Sequence, residues 1–305
     1  MDLSIVATMY RSAAYLCEFH DRASAAAKAL TQDYEIILVN DGSPDDALNV
    51  ALTLFEKDEK TRIIDLSRNF GHHKAIMTGL AHSRGERVFL LDCDLEEAPE
   101  WLGHFCGVMK ESGADVVYGV QKTRKGSLFE RASGSLFYTL FDFLSSVPVP
   151  RNVVTARLMS RRYVQSLVEH KDREVFLLGL WTITGFKQVP VTVEKGWKGN
   201  SSYSLSHKVA VLVNCITSFS NKPLIYIFYL GCAILLLSGI SASYLVIRRL
   251  FFGVMLSGWP SLIISVWLLG GLMIFSLGIL GIYLSKIFSE TKDRPYTIIR
   301  RLYER

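Results

Sequence analysis

The chain lacks the spaced cysteines, basic runs and Gly/Pro-rich repeats that mark several protein classes. Its five cysteines (Cys17, Cys93, Cys106, Cys215, Cys232) form no CxxC pair, and an odd, scattered set argues against a disulfide framework or a zinc site. They read as reduced, packed thiols in a cytosol-facing protein. Eight prolines and 22 glycines in 305 residues, without a repeat, exclude collagen-like and low-complexity chains. No basic stretch precedes the apolar run at residues 3–7, so no secretory signal is expected. GxxxxGK[ST], HExxH and GxSxG are missing too.

Charge is unevenly placed. Lys plus Arg number 34 against 29 Asp plus Glu, for a net +5. Residues 223–305 hold eight basic and three acidic residues and so carry the whole excess. Residues 1–222 are balanced and lack a basic run, which speaks against nucleic acid as a partner. A 50% hydrophobic composition excludes intrinsic disorder.

Two long stretches carry no charge at all: residues 224–247 and 250–285. A bilayer core is crossed by about 20 apolar helical residues, so the first is one span. The second divides at Ser257, Gly258, Trp259 and Pro260, leaving a span near residues 261–284. Two spans put residues 1–222 and 286–305 on one side. The six basic residues after the second span outnumber Arg248 and Arg249 between the spans, which places that side in the cytoplasm. Residues 127–146 and 203–222 are amphipathic and read either as core helices or as helices lying in the membrane interface. Gly270, Gly271, Gly278 and Gly281 in the second span permit close helix packing, as in a homo-oligomer, or simply face lipid.

In residues 1–120 short apolar runs alternate with helical patterns. Strands are expected at residues 3–7, 35–39, 61–66, 87–91 and 115–118, with helices over 13–30, 45–55, 73–83 and 100–111. This alternation predicts an α/β fold with a parallel sheet covered on both faces. Ligands of such sheets bind beyond the carboxyl ends of the strands. The second strand ends in Asn40, Asp41, Gly42 and Ser43, where a carboxylate can meet a ribose or base, although the same residues make good turn chemistry. The fourth ends in Asp92-Cys93-Asp94, followed by Glu96. Two carboxylates so close are unfavourable unless a cation or a network offsets them; Mg²⁺ or Mn²⁺ shared with a diphosphate is the natural resolution, although isolated Asp-x-Asp pairs are also common in surface loops. Residues 68–74, Arg-Asn-Phe-Gly-His-His-Lys, open a helix and read either as a phosphate site or as a solvated helix start.

These segments, with FERASGSLFY (129–138), ARLMSRR (156–162), GNSSYSL (199–205), the paired spans and Arg294-Pro295, resemble the polyprenyl-phosphate glycosyltransferases. That group is the dolichyl-phosphate-mannose-synthase-like branch of glycosyltransferase family 2, which includes bacterial undecaprenyl-phosphate sugar transferases. The resemblance covers essentially the full length. It implies a GT-A (Rossmann-like) cytoplasmic domain over residues 1–202, a juxtamembrane helix over 203–222, two transmembrane helices within 223–285 and a basic tail over 286–305. It implies a multi-pass inner-membrane enzyme whose catalytic domain and C-terminus are cytoplasmic. Its reaction would be inverting transfer of a sugar, best guessed as a UDP-hexose, to a polyprenyl phosphate.

The resemblance also implies residue roles. Thr8, Tyr10, Asp41, Lys74 and Asp92 would hold the nucleotide sugar. Asp92, Asp94 and Glu96 would hold the cation, with Glu96 where relatives often have Gln. Asp92, Asp94 and Arg131 would be catalytic. Arg124, Arg131, Ser135, Lys198 and Ser202 would meet the lipid phosphate, and Lys195 also lies within reach of a phosphate. Departures include Arg11 in the first loop, Ser202 where Lys is frequent, and Thr155 where relatives commonly have Asp. They motivate the alternative of a non-catalytic membrane adaptor. A processive polysaccharide synthase fits less well, since QxxRW and further spans are missing.

Overall fold

The computed structural model describes residues 1–121, 143–144, 150, 152–196, 213, 216–217, 220–252 and 258–305. The chain forms two units: a sheet-based unit to which Arg294–Arg305 belongs, and a helical unit containing the two long apolar helices.

In the first unit, strands β1 (Leu3–Met9), β2 (Tyr34–Asn40), β3 (Thr61–Leu66), β4 (Arg87–Asp92) and β5 (Val116–Gln121) alternate with helices α1 (Leu16–Lys28), α2 (Ala47–Lys57), α3 (His72–Ala81) and α4 (Trp101–Ser112). There follow β6 (Val153–Ser160), α5 (Arg161–Val168), α6 (Leu177–Ile183) and β7 (Gln188–Val193), and much later β8 (Ile299–Tyr303). The sheet order is β7-β5-β6-β4-β1-β2-β3-β8. Strands β1 to β3 are buried along their whole length, as near-continuous apolar strands require when helices cover both faces. On α1 the buried positions Leu16, Phe19, His20, Ala23, Ser24 and Ala27 recur every three or four residues, giving one stripe toward the core. Helix α3 packs on β1 and β2 beside α5, and α1 packs on β2 beside α2 and α4.

The parallel sheet expected from residues 1–120 is present, and strands beyond that segment add antiparallel members to it. Strands β1 to β4 are mutually parallel, but β6 runs antiparallel between β4 and β5, and β8 runs antiparallel on β3. Strand β8 falls in the segment that sequence reads as a basic tail. Its charges meet opposite charges on the sheet: Arg300 lies 3.5 Å from Asp65, and Glu304 lies 2.7 Å from both Arg62 and Arg84.

In the second unit, α7 (Lys222–Phe252) and α8 (Trp259–Thr291) are long and apolar enough to cross a membrane. Mean hydropathy reaches 2.2 over Lys222–Ser241 and 2.1 over Ser265–Thr291, and no part of those windows is buried by protein. Both helices outlast their uncharged stretches, because Arg, Lys and Glu are good helix formers and a charge ends an apolar run without ending a helix. Among the described residues Cys17, Cys93, Cys106 and Cys232 are free thiols. Most of the two amphipathic segments, residues 127–142, 145–146, 203–212, 214–215 and 218–219, lies outside the described residues.

Candidate active site

Order reverses at β1, which has β2 on one side and β4 on the other, so the carboxyl ends of these three strands frame a crevice. The register sets Thr8 beside Asp92 and Met9 beside Asn40. The Asp41 N–H bonds the Met9 carbonyl at 3.1 Å. The loops after β1 and β2 are stitched together by the Arg11 N–H on Ser43 Oγ (2.7 Å) and the Ala13 N–H on Asp45 Oδ2 (3.0 Å). Tyr10, in the first of these loops, is exposed.

Asp41 is buried, and its carboxylate accepts the N–H groups of Phe70 (2.7 Å) and Gly71 (3.0 Å). It therefore clamps the β3–α3 loop to the end of β2. Burial raises its pKa against the opposing pull of those two N–H groups. Gly42 has φ +59°, and a Cβ there would lie 2.5 Å from the Arg68 carbonyl carbon. Only glycine lets the two loops approach this closely.

The clamp sets the first turn of α3 over the crevice. His72 Nδ1 lies 3.1 Å from Thr8 Oγ1, and its Nε2 lies 3.4 Å from Asp92 Oδ1. One imidazole thus joins the ends of β1 and β4. Lys74 sits half-buried two residues further into the same helix start. His73 turns the other way, onto the Val175 carbonyl (3.1 Å), and burial lowers its pKa.

At the end of β4, burial raises the pKa of Asp92, with the nearby Asp94 charge adding to it, while His72, the Thr155 hydroxyl and Lys195 oppose the rise. The Cys93 thiol turns inward to the Thr8 carbonyl (2.8 Å), and burial pushes its pKa up to about 12. Asp92 ends β4, and Cys93 and Asp94 continue in the turn that follows it. Leu95, at φ +63°, turns the chain, and the Glu96 N–H then bonds Asp94 Oδ1 at 3.0 Å.

Glu97 is a site residue that sequence reasoning missed. It is fully buried and accepts N–H groups from Thr155 (2.9 Å) and Asp92 (3.4 Å), tying the start of β6 to the end of β4. Burial, then the Asp92 charge, lifts its pKa far above the carboxylate range. The run Asp-Cys-Asp-Leu-Glu-Glu shows that carboxylates gather here, but only the sheet shows which one turns inward. Thr155, a departure from the family resemblance, bonds Glu97 through its N–H and Asp92 through its hydroxyl. Below them Arg157 is buried against the Trp181 ring, 2.9 Å from its centroid, and burial lowers its pKa.

The structure thus brings Thr8, Asp41, Asp92, Asp94 and Glu96 to one end of the sheet. Arg124, Arg131, Ser135, Lys198 and Ser202 lie outside the described residues. Among the described residues no three His, Cys, Asp or Glu side chains converge as a ready-made metal cage. Asp92 and Asp94 nonetheless offer hard oxygens at a site where burial disfavours bare negative charge, which fits a divalent cation that also takes oxygens from a substrate.

Residues 4–168 match the model of glycosyl transferase family 2. A Mycobacterium tuberculosis protein that carries a glycosyltransferase name is 53% identical over 99% of this chain and 89% of its own length. The SfII prophage-derived bactoprenol glucosyl transferase of Shigella flexneri is 28% identical over 99% of this chain and 98% of its own length. Among solved structures, the glucosyl-3-phosphoglycerate synthase of Mycobacterium tuberculosis, in complex with Mn²⁺ and UDP-glucose, aligns at a TM-score of 0.47 and 20% identity. The alignment covers 71% of this chain and 78% of that one. With a family match over more than half its length and a relative this similar from end to end, the chain belongs to glycosyl transferase family 2, as a GT-A type enzyme that transfers sugar from a nucleotide sugar.

Proposed function

We propose that the enzyme transfers a hexose from a uridine-linked donor to a polyprenyl phosphate at the inner membrane. The observation that carries this reading is the presence, in one chain, of the carboxylate crevice and of two helices apolar enough to cross a bilayer. An enzyme with a soluble acceptor has no need of those helices, whereas a lipid phosphate stays in the interface. The bactoprenol name of a relative matched along nearly its whole length supports the same acceptor class. The excess of basic residues after α8 supports a cytoplasmic catalytic domain and tail.

In this reading Thr8, Tyr10, Asp41 and Lys74 surround the nucleotide, and Asp92 and Asp94 hold Mg²⁺ or Mn²⁺. The cation, when bound, neutralises charge on the departing diphosphate. Arg124, Arg131, Ser135, Lys198 and Ser202 receive the acceptor phosphate. A phosphate monoester has a second pKa of about 6 and is already a dianion near neutrality, so no general base is required. Thr155 in place of the family aspartate is consistent with that. The acceptor needs alignment: its oxygen attacks the anomeric carbon as the bond from that carbon to the diphosphate oxygen breaks, inverting the configuration.

Detergent-solubilised protein given undecaprenyl phosphate, Mg²⁺ or Mn²⁺ and a panel of nucleotide sugars is expected to yield one lipid-phosphate-sugar by mass spectrometry, and EDTA is expected to abolish it. A product that retains the donor's anomeric configuration rules out the single displacement. No product together with no nucleotide binding favours a non-catalytic adaptor. Arg131→Ala is expected to raise KM for the lipid about tenfold or more while donor Kd changes little, as loss of a charged phosphate contact implies. Equal losses for both substrates would remove Arg131 from the acceptor site.

A further inference from the structure

Glu96 stands where the family resemblance leads to an uncharged glutamine, and its carboxylate is engaged. Oε2 lies 2.9 Å from Lys195 Nζ, and the same ammonium lies 4.0 Å from Glu97 Oε1. The pairing is held by backbone. The Gly196 N–H bonds the Glu96 carbonyl at 2.8 Å, and a Cβ on Gly196 would meet Glu96 Cα at 3.4 Å, so the chain leaving β7 lies against the turn after β4. The two side chains are only 24% and 22% exposed, which shields the pair from the screening that weakens surface ion pairs.

We propose that Lys195 withholds Glu96 from the divalent cation and so sets how tightly the Asp92–Asp94 pair binds it. The inference rests on the cation reading above. A third carboxylate at a two-carboxylate site strengthens cation binding, because affinity rises with ligand charge. Lys195 neutralises that charge and occupies one of the oxygens. The unloaded enzyme then binds a cation weakly, and the cation is retained chiefly when a diphosphate supplies further oxygens. Weak retention also suits release of the nucleotide diphosphate after transfer.

The test is Mn²⁺ binding to the detergent-solubilised full chain without nucleotide, followed by the electron paramagnetic resonance signal of free Mn²⁺. Lys195→Met is expected to bind about tenfold more tightly than the wild type, the scale of removing one nearby partly screened charge. Lys195→Arg keeps the charge and is expected near the wild type. Adding Glu96→Gln to Lys195→Met is expected to erase the gain, and adding Asp94→Ala is expected to remove binding. Wild-type affinity in Lys195→Met overturns the inference. So does a gain that survives Glu96→Gln, because Lys195 then acts on the cation through space alone. Absence of Mn²⁺ binding in every variant overturns the cation reading itself and the inference with it. Tryptophan emission checks each fold, and Lys195→Gln replaces Lys195→Met with the same expectation if the latter does not fold.

Discussion

Asp92→Asn is expected to lower kcat for sugar transfer about a hundred- to a thousandfold, the range seen when one preorganised electrostatic contact to a transition state is removed. The substitution changes charge with almost no change in shape. It leaves the β1–β4 register and the buried Cys93 contact intact, so a folding defect is not expected. Two functions are lost together: one of the two hard anionic ligands and the partner of His72 Nε2. Nucleotide binding is expected to weaken far less than turnover, since Thr8, Asp41 and the α3 start are untouched. Single-turnover product formation beside equilibrium titration of the nucleotide separates the two effects. Turnover within tenfold of the wild type would mean that charge at the end of β4 does not assist the leaving group.

Arg62→Met is expected to destabilise the sheet unit by about 3 kcal/mol or more, the low end of the cost of breaking a buried ion pair. Arg62 is 7% exposed and Glu35 2%. One terminal guanidinium nitrogen bonds Glu35 Oε2 (2.7 Å) and the His82 carbonyl (2.9 Å), and the second terminal nitrogen bonds Glu304 (2.7 Å). Without it Glu35 keeps, among the described residues, two neutral donors, the Ser4 hydroxyl (2.6 Å) and the Arg84 N–H (2.8 Å), which is why the low end applies. Thermal unfolding of the detergent-solubilised protein, read by tryptophan fluorescence, is expected to shift to lower temperature. Arg62→Met with Glu35→Gln is expected to recover part of the loss, because the stranded charge is gone. An unchanged midpoint in the single variant would show that Glu35 is fully satisfied by Ser4 and Arg84.

The first half of the fold is legible because burial on both faces writes strands β1 to β5 as apolar runs and amphipathic stripes mark the helices between them. Strand β6 is harder to see, since Arg157 interrupts its apolar run and finds its place only against Trp181. Strand β8 is harder still: Ile-Arg-Arg-Leu-Tyr reads as a charged tail until Asp65, Arg62 and Arg84 supply its partners. The same contrast holds at the site. Asp41, Asp92 and Asp94 stand out as acidic residues at strand ends. The bridging role of His72, the inward turn of Glu97 and the pairing of Lys195 depend on elements brought together from distant parts of the chain.

The pairing of β8 with β3 has a consequence for synthesis. Arg62 and Glu304 are 242 positions apart, and both long apolar helices are translated between them. A nascent chain therefore carries β3 as an open sheet edge, with Arg62 and Asp65 lacking their β8 partners, until residues 299–304 have emerged. Open edges recruit other strands, and contacts so distant in sequence form slowly. Completion of the catalytic sheet thus reports that the helical hairpin has already been made, and a ribosome that stops early leaves a domain marked by an unfinished edge.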